Sequence, residues 1–232
     1  MAASARSLAK IRLFRSLSAD TIKKLDKRCT WRDAVAREWL LEYEDEGSDV
    51  FFVVSGEVRV LIQALSGREM ILADIKAGGY FGEMSAIDGA HRSASIRALT
   101  KSTITRMPAR VFWEVVHKHA DVADQLLKQL VQRIRLLNER INEFNSLDVR
   151  HRIYAELLRL ARPDRADSNR GILSPPPHHA EIASRVSTRR EMVARECKAL
   201  ERGGLLLRRR GALVITDLRS LVQRLEEARE IE

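Results

Sequence analysis

Two cysteines in 232 residues, Cys29 and Cys197, leave little scope for sulfur chemistry. They share no C-x-x-C spacing, so neither a structural zinc site nor a disulfide framework is expected. An iron–sulfur cluster, which needs about four cysteine ligands, is excluded by number. A reducing cytoplasm suits such a chain. No apolar run approaches the roughly 18 residues of a membrane span, so no membrane partner is expected. There is no P-loop, and no Ser-His-Asp or Cys-His set that coarse elements would bring together, so the chain is read as a non-enzyme without catalytic residues. The N-terminus, MAASARSLAKIRLFRSL, lacks the apolar core of a secretory signal; Arg/Ser-rich and free of acids, it shares its composition with transit peptides. It is read instead as a short amphipathic helix with Leu8, Ile11 and Phe14 on one face.

Positive charge is what the chain has in excess. The net formal charge is +9, and residues 151–232 carry 17 Lys+Arg against 12 Asp+Glu. The C-terminal third is therefore the denser cation, which points to a polyanionic partner.

The most informative stretch is FGEMSAIDGAHRSASIR, residues 81–97. Gly82 permits a tight turn or a close approach to a ligand. Arg92 carries a planar fork that matches a phosphate, and Ser93 adds a hydroxyl beside it. The turn between them can aim backbone N–H groups at the same anion. Glu83 would repel that anion unless it accepts from a hydroxyl or pairs with another cation. One phosphate charge and one free ribose hydroxyl describe a cyclic mononucleotide. The plainer alternative is a glycine turn followed by a strand with an exposed Arg and Ser.

Around this stretch, residues 30–108 read as short strands. Asp49–Val54 and Glu57–Ile62 are split by Ser55-Gly56, Ser66-Gly67 marks the next turn, and Ser93–Ala98 alternates again. This is a small antiparallel β-roll. After Pro108 the period changes. Ala120, Ala123, Leu127, Leu130, Ile134, Leu137, Ile141 and Phe144 follow a 3-4 spacing, a heptad seam on a helix about 40 Å long. Such a seam either lies on its own domain or pairs with a second copy, and its length favours a homodimer. Leu126 and Val131, beside the seam, are expected to face the barrel. Asp148 caps a helix, Val149–Ala161. Asp164–Pro177 reads as a loop. Helices His179–Val186 and Thr188–Glu201 then form a helix-turn-helix. A wing follows, with strands Leu205–Leu207 and Ala212–Ile215 joined through Arg208–Gly211, and Asp217 caps a last helix. The fold class is α+β, with a β-roll domain over 1–115, a dimerisation helix over 116–147 and a winged helix-turn-helix domain over 148–232.

Within the second helix of that motif, Arg190, Glu191 and Arg195 sit where side chains meet base edges. Arginine binds guanine bidentately and glutamate accepts from the cytosine amino group. Arg–Glu–Arg is also a common solvated ion-pair pattern. Arg189, Arg208, Arg209 and Arg210 are candidates for phosphate contacts that carry no sequence information. His178 and His179 are adjacent, have no further ligands, and read as a polar lead-in to the helix and not as a metal site.

G-E-x(8)-R-S-A is similar to the phosphate-binding cassette of cyclic-nucleotide-binding domains, with Gly82, Glu83, Arg92 and Ser93 matching residue by residue. R-E-x-x-x-R on the second helix, the long helix and the segment Leu147–Val149 extend the likeness over almost the whole chain. The chain resembles the Crp/Fnr transcription regulators, and within them rhizobial cyclic-AMP-receptor-like proteins. The resemblance implies that Glu83 holds the ribose 2′-hydroxyl and that Arg92 and Ser93 hold the phosphate. It also places Arg133 near both. It implies double-stranded DNA as partner, a palindrome of TGTGA-like half-sites, a homodimer and RNA polymerase. Two departures matter. The cassette turn is one residue shorter than in the family's cyclic-AMP receptors, and Leu137-Asn138 replaces a Thr-Ser pair that contacts adenine. Asn138, at the flank of the seam, offers both a donor and an acceptor, so both cyclic AMP and cyclic GMP are expected as ligands. The alternative is that Asn138 only tunes helix pairing. A haem sensor would need His91, the only candidate near the pocket, and would leave Glu83 and Arg92 without a purpose. Neither haem nor metal is expected.

Overall fold

The computed structural model describes residues 6–63 and 69–230, in two compact units, 1–133 and 134–232. The expected turn at Ser66-Gly67 lies outside the described residues.

In the first unit, eight strands form two antiparallel sheets: β1 (Thr30–Ala34), β2 (Trp39–Leu41), β3 (Val50–Ser55), β4 (Glu57–Gln63), β5 (Glu69–Lys76), β6 (Tyr80–Phe81), β7 (Ser95–Ala98) and β8 (Ser102–Met107). Their orders are β1-β8-β3-β6 and β2-β7-β4-β5. β3 shows why the roll holds. Its apolar run VFFVV is buried on both faces. Val50, Phe52 and Val54 join one core with Phe14 and Phe112, while Phe51 and Val53 join another with Phe81, Ile96 and Ile104. The two-residue period of a strand divides one apolar run between two cores.

The N-terminal segment is not an amphipathic α-helix. It makes two single 3-10 turns, Leu8–Lys10 and Arg12–Phe14, before helix α1 (Ala19–Asp26). Leu8, Ile11, Leu13 and Phe14 are all buried, so apolar residues point inward from both turns rather than along one helical face. Helix α2 (Glu83–Asp88) lies in the cassette, and after β8, where the period changes at Pro108, helix α3 (Ala109–Lys118) precedes the long helix. Val111, Phe112, Val115 and Val116 give α3 its buried face.

The long helix α4 runs from Ala120 to Ser146, 27 residues. Val122 and Leu126 are buried in the first unit's core, and Ala123 and Leu130 pack partly against it. Val131 does not face the roll: it is 48% exposed, together with Leu127, Ile134, Leu137 and Ile141. At about 100° per residue, Leu127, Ile134, Asn138 and Val131 fall within one narrow outward stripe. Leu130 and Leu137 lie toward one edge of it. Asn138 falls between Leu127 and Val131, at the flank of the exposed stripe away from Leu137 and Ile141.

In the second unit, α5 (Val149–Leu160) starts at Asp148, whose carboxylate accepts from the His151 N–H at 2.9 Å. β10 (Gly171–Leu173) lies within the stretch expected as a loop, and β9 (Arg162–Pro163) lies just before it. α6 (His179–Arg185) and α7 (Arg190–Arg202) form the helix-turn-helix. β11 (Leu206–Arg209) and β12 (Ala212–Ile215) form the hairpin, and α8 (Leu218–Glu230) ends the described chain. The sheet order β11-β12-β10-β9 explains both differences. β12 needs a partner on each side, so Gly171–Leu173 pairs with it. Arg208 and Arg209 pair with Leu213 and Ala212, which shrinks the turn to Arg210-Gly211. Gly211 takes the φ of +74° that such a turn demands.

Candidate nucleotide pocket and DNA-reading surface

The cassette is built around Arg92, which is only 4% exposed. Its Nη1 donates to the Gly82 carbonyl at 2.8 Å and its Nη2 to the Asp49 carbonyl at 3.0 Å. Its Nε is buried with no hydrogen-bond partner. Burial pulls the guanidinium below its usual value, against Asp49, Asp45 and Glu83, which raise it. Leaving a buried cationic donor unsatisfied costs about 1–3 kcal/mol or more, so an anion there would be strongly held. Gly82 has φ +81°, and a Cβ would stand 2.8 Å from Arg92 Nη1 and 3.0 Å from the Asp49 carbonyl oxygen. Only glycine fits.

Glu83, the first residue of α2, is 3% exposed. Arg133 of α4 donates to its Oε1 and, at 3.2 Å, to the Tyr80 carbonyl. The Arg133 guanidinium also lies over the Tyr80 ring, 4.9 Å from its centroid. Ser93 is exposed, and its hydroxyl donates to the Met84 sulfur at 3.4 Å. Gly82, Glu83, Arg92, Ser93 and Arg133 line one cavity of about 90 Å³, whose remaining walls include Leu41, Val60, Phe81 and Ile96. Two guanidinium groups against one carboxylate leave a single positive charge, the complement of a phosphodiester. Leu137 and Asn138 belong to the second unit and are exposed on α4.

The acceptors that steer Arg92 escaped the sequence reading. Glu44 N–H donates to the Arg92 carbonyl at 2.8 Å, and Arg92 N–H donates to the Asp45 carbonyl at 3.0 Å. The segment Glu42–Asp49 thus clasps the cassette through its backbone. Carbonyl oxygens carry no side-chain signature, so only the acidic run there could have drawn attention.

In the second unit, α7 buries Val193, Glu196, Cys197 and Leu200 and exposes Arg190, Glu191 and Arg195. Arg189, the cap residue, and Arg209 and Arg210 on the wing are exposed as well. Arg195 leans on its own helix, with its Nη2 2.9 Å from the Met192 sulfur. Arg208, also exposed, is paired within the protein. Its Nε donates to Glu201 at 2.7 Å, and its Nη2 lies 3.2 Å from His179 Nε2. Arg208 therefore ties the wing to both helices of the motif, and His179 must be neutral to accept from it. Burial, then Arg208 and Arg190, hold the His179 imidazolium below its usual range. His178 caps α6 without a side-chain bond.

Burial pushes both thiols, Cys29 and Cys197, up to about 11, which leaves them protonated and unreactive at neutral pH. Among the described residues, no helix is long and apolar enough to cross a membrane, and no group of three or more His, Cys, Asp or Glu is placed to hold a metal ion.

Comparison with known proteins gives a consistent picture. The family model described as cyclic nucleotide-binding domain matches residues 31–119, and that described as Crp-like helix-turn-helix domain matches residues 151–224. The cAMP-activated global transcriptional regulator Vfr of Pseudomonas aeruginosa is 29% identical over 192 residues, covering 80% of this chain and 90% of Vfr. The cAMP-activated global transcriptional regulator CRP of Salmonella typhimurium is 28% identical over 172 residues, 74% of this chain and 82% of CRP. Among solved structures, a CooA mutant from Carboxydothermus hydrogenoformans superposes with a TM-score of 0.79 at 24% identity, covering 95% of this chain and 98% of that one. The c-di-GMP responsive regulator CLP of Xanthomonas campestris gives 0.70 at 23% identity, over 85% and 99%. Vfr and CRP are regulators of transcription and not enzymes. With a cassette in one unit and a winged helix-turn-helix in the other, each matched in its own right, the chain belongs to the Crp/Fnr family of transcription regulators.

Proposed function

We propose that the protein is a cytoplasmic, homodimeric transcription factor whose affinity for a palindromic DNA site is raised by a cyclic mononucleotide. The observation that carries the ligand is Arg92, a buried guanidinium whose Nε has no partner, lining a cavity together with Ser93 and Glu83. The phosphate would take the Arg92 Nε–H and the Ser93 hydroxyl, and Glu83 would accept from the ribose 2′-hydroxyl. The cavity is smaller than the roughly 300–1,000 Å³ of ligand sites. Arg133, which now holds Glu83, must therefore give ground as the sugar enters. That links occupancy directly to α4. The ligand shifts the equilibrium by as much as it binds the DNA-competent state better than the resting one.

The exposed stripe on α4 supports a dimer, because Leu127, Val131, Ile134 and Ile141 are too apolar a row to leave in water. Two paired α7 helices would then read half-sites about 34 Å apart, one turn of DNA. Arg190, Glu191 and Arg195 would contact bases in a TGTGA-like half-site, and Arg189, Arg209 and Arg210 the phosphates. RNA polymerase is the partner through which such a factor acts.

Both cyclic AMP and cyclic GMP are proposed as ligands. Asn138 lies at the flank of the stripe and can present its amide oxygen to an adenine amino group or its amide nitrogen to guanine O6. The decisive experiment is calorimetric titration of cyclic AMP, cyclic GMP and c-di-GMP into the wild type and Asn138→Ala. Binding of both mononucleotides to the wild type, with cyclic GMP weakened in the variant, is expected. Tight binding of a single mononucleotide would end the dual-ligand reading, and binding of c-di-GMP alone would end the cassette reading.

A further inference from the structure

Glu156, in the middle of α5, is fully buried, at 0% exposed. Its carboxylate is the meeting point of three helices of the second unit. Arg140 from the last turns of α4 donates to Oε2 at 2.9 Å, and Arg159 from α5 itself donates to the same oxygen. Arg185, the final residue of α6, brings its Nη1 to 3.7 Å from Oε1. Two of the three arginines are tied a second time. Arg159 reaches back to both oxygens of Glu143 on α4, at 2.5 and 2.7 Å, and Arg185 donates to Glu181 on α6 at 3.2 Å. Arg152 of α5 adds a guanidinium 5.0 Å from the ring centroid of Phe144 on α4.

Stability alone does not account for such a cluster. Apolar residues of similar volume commonly stabilise a buried position as well as or better than an ion network. What the network adds is direction: the hydrogen bonds of Arg140 and Arg159 to Glu156, and of Arg185 to Glu181, each demand one angle and one distance, while Arg185 meets Glu156 Oε1 as an ion pair that holds by charge. Its location gives that direction a use. Arg185 is followed by Val186 and by Ser187, whose φ of +52° opens the turn into α7. A shift of Arg185 is therefore a shift of the turn that launches the recognition helix.

We infer that Glu156 is a positioning residue for DNA reading, holding the end of the long helix and the start of the recognition helix in a single geometry through Arg140 and Arg185. This rests on the DNA-binding reading above. Charge, more than packing, then sets how α7 is presented. Glu156→Gln keeps the shape and one acceptor but removes the charge that all three guanidinium groups share.

The test uses the full-length protein saturated with cyclic AMP. It measures affinity for a duplex selected from random sequence by the wild type, and for a mixed duplex lacking that site. Glu156→Gln should lose at least tenfold for the selected duplex and change little on the mixed one. Hydrogen exchange should lose protection together at residues 140–146 and 183–189. Arg140→Ala should repeat the pattern more weakly, and Arg140→Lys should restore part of it. It also serves as the working variant should Glu156→Gln fold poorly. Equal affinity for the selected duplex in folded Glu156→Gln or Arg140→Ala would overturn the inference, as would a loss that is identical on both duplexes. A wild type that selects no sequence at all would instead overturn the DNA-binding reading, and the exchange data would still decide whether the two helix ends are coupled.

Discussion

Arg92 and Arg190 are the same side chain in opposite circumstances. Arg92 is sunk in the first unit, with two carbonyl acceptors fixing its plane and its Nε left without a partner. Arg190 stands exposed on the first turn of α7, free to choose a rotamer. The first arrangement suits a ligand of one shape that must be gripped in a confined space. The second suits a long polyanion whose bases differ from site to site. Desolvation has already been met by the fold at Arg92, so each contact to it is worth more than the same contact in water. At Arg190 most of the electrostatic gain comes from phosphates and released counterions and falls as salt rises.

The comparison breaks most sharply at Arg92. Arg92→Ala should lower cyclic nucleotide affinity at least tenfold, ~1.5–3 kcal/mol for a charge-assisted bond, while circular dichroism shows the fold retained. Unchanged affinity by calorimetry would mean that the buried guanidinium is only structural. Gly82→Ala should come next. It forces a left-handed residue and a Cβ against Arg92 and Asp49, and should cost about 1–3 kcal/mol in a melting experiment. Nucleotide affinity should drop with it, because Arg92 is the group displaced. A variant as stable as wild type would show that the cassette has slack.

On the DNA side the expected effects are smaller and divided. Glu191→Ala should cost about 1–3 kcal/mol per half-site and relax preference at one base pair, read by selection from random duplexes. Arg209→Ala should weaken all sequences alike and reduce the salt slope by about 1. If the two variants behaved identically, Glu191 would be a solvated partner and not a reader. The slightest effect is expected from His179, which accepts from Arg208 and faces Arg190, Glu201 and His178. Its folded value is lowered, so the native state binds fewer protons than the unfolded chain. Its contribution is present above the ordinary value near 6.5, about where free histidine titrates, and is lost as pH falls through the lowered one. Melting temperature should therefore fall more steeply below pH 6.5 in the wild type than in His179→Gln. Parallel curves would remove His179 from the wing's support.

Much was legible in the order of residues because it depends on local chemistry. Gly82, Glu83, Arg92 and Ser93 stand close in the chain, and a short turn gathers them whatever surrounds it. The 3-4 spacing announced α4, and Asp148 announced the start of α5. Helix-turn-helix and wing followed from the apolar periods and from two glycines, Gly204 and Gly211, at positive φ. What remained hidden depends on partners distant in sequence. Backbone carbonyls at Asp45 and Asp49 orient Arg92 across more than 40 residues, and nothing in their side chains says so. β10 is a strand because β12 pairs with it. Which heptad positions of α4 point outward was settled by the core that claims Leu126 and part of Leu130. That choice brought Val131 and Asn138 into the exposed stripe. The ties of Arg208 to Glu201 and His179 depend on side chains that only the fold brings within reach. Patterns set by turn and helix geometry need only neighbours, whereas acceptors, faces and ion pairs are assigned by whichever distant surface packs against them.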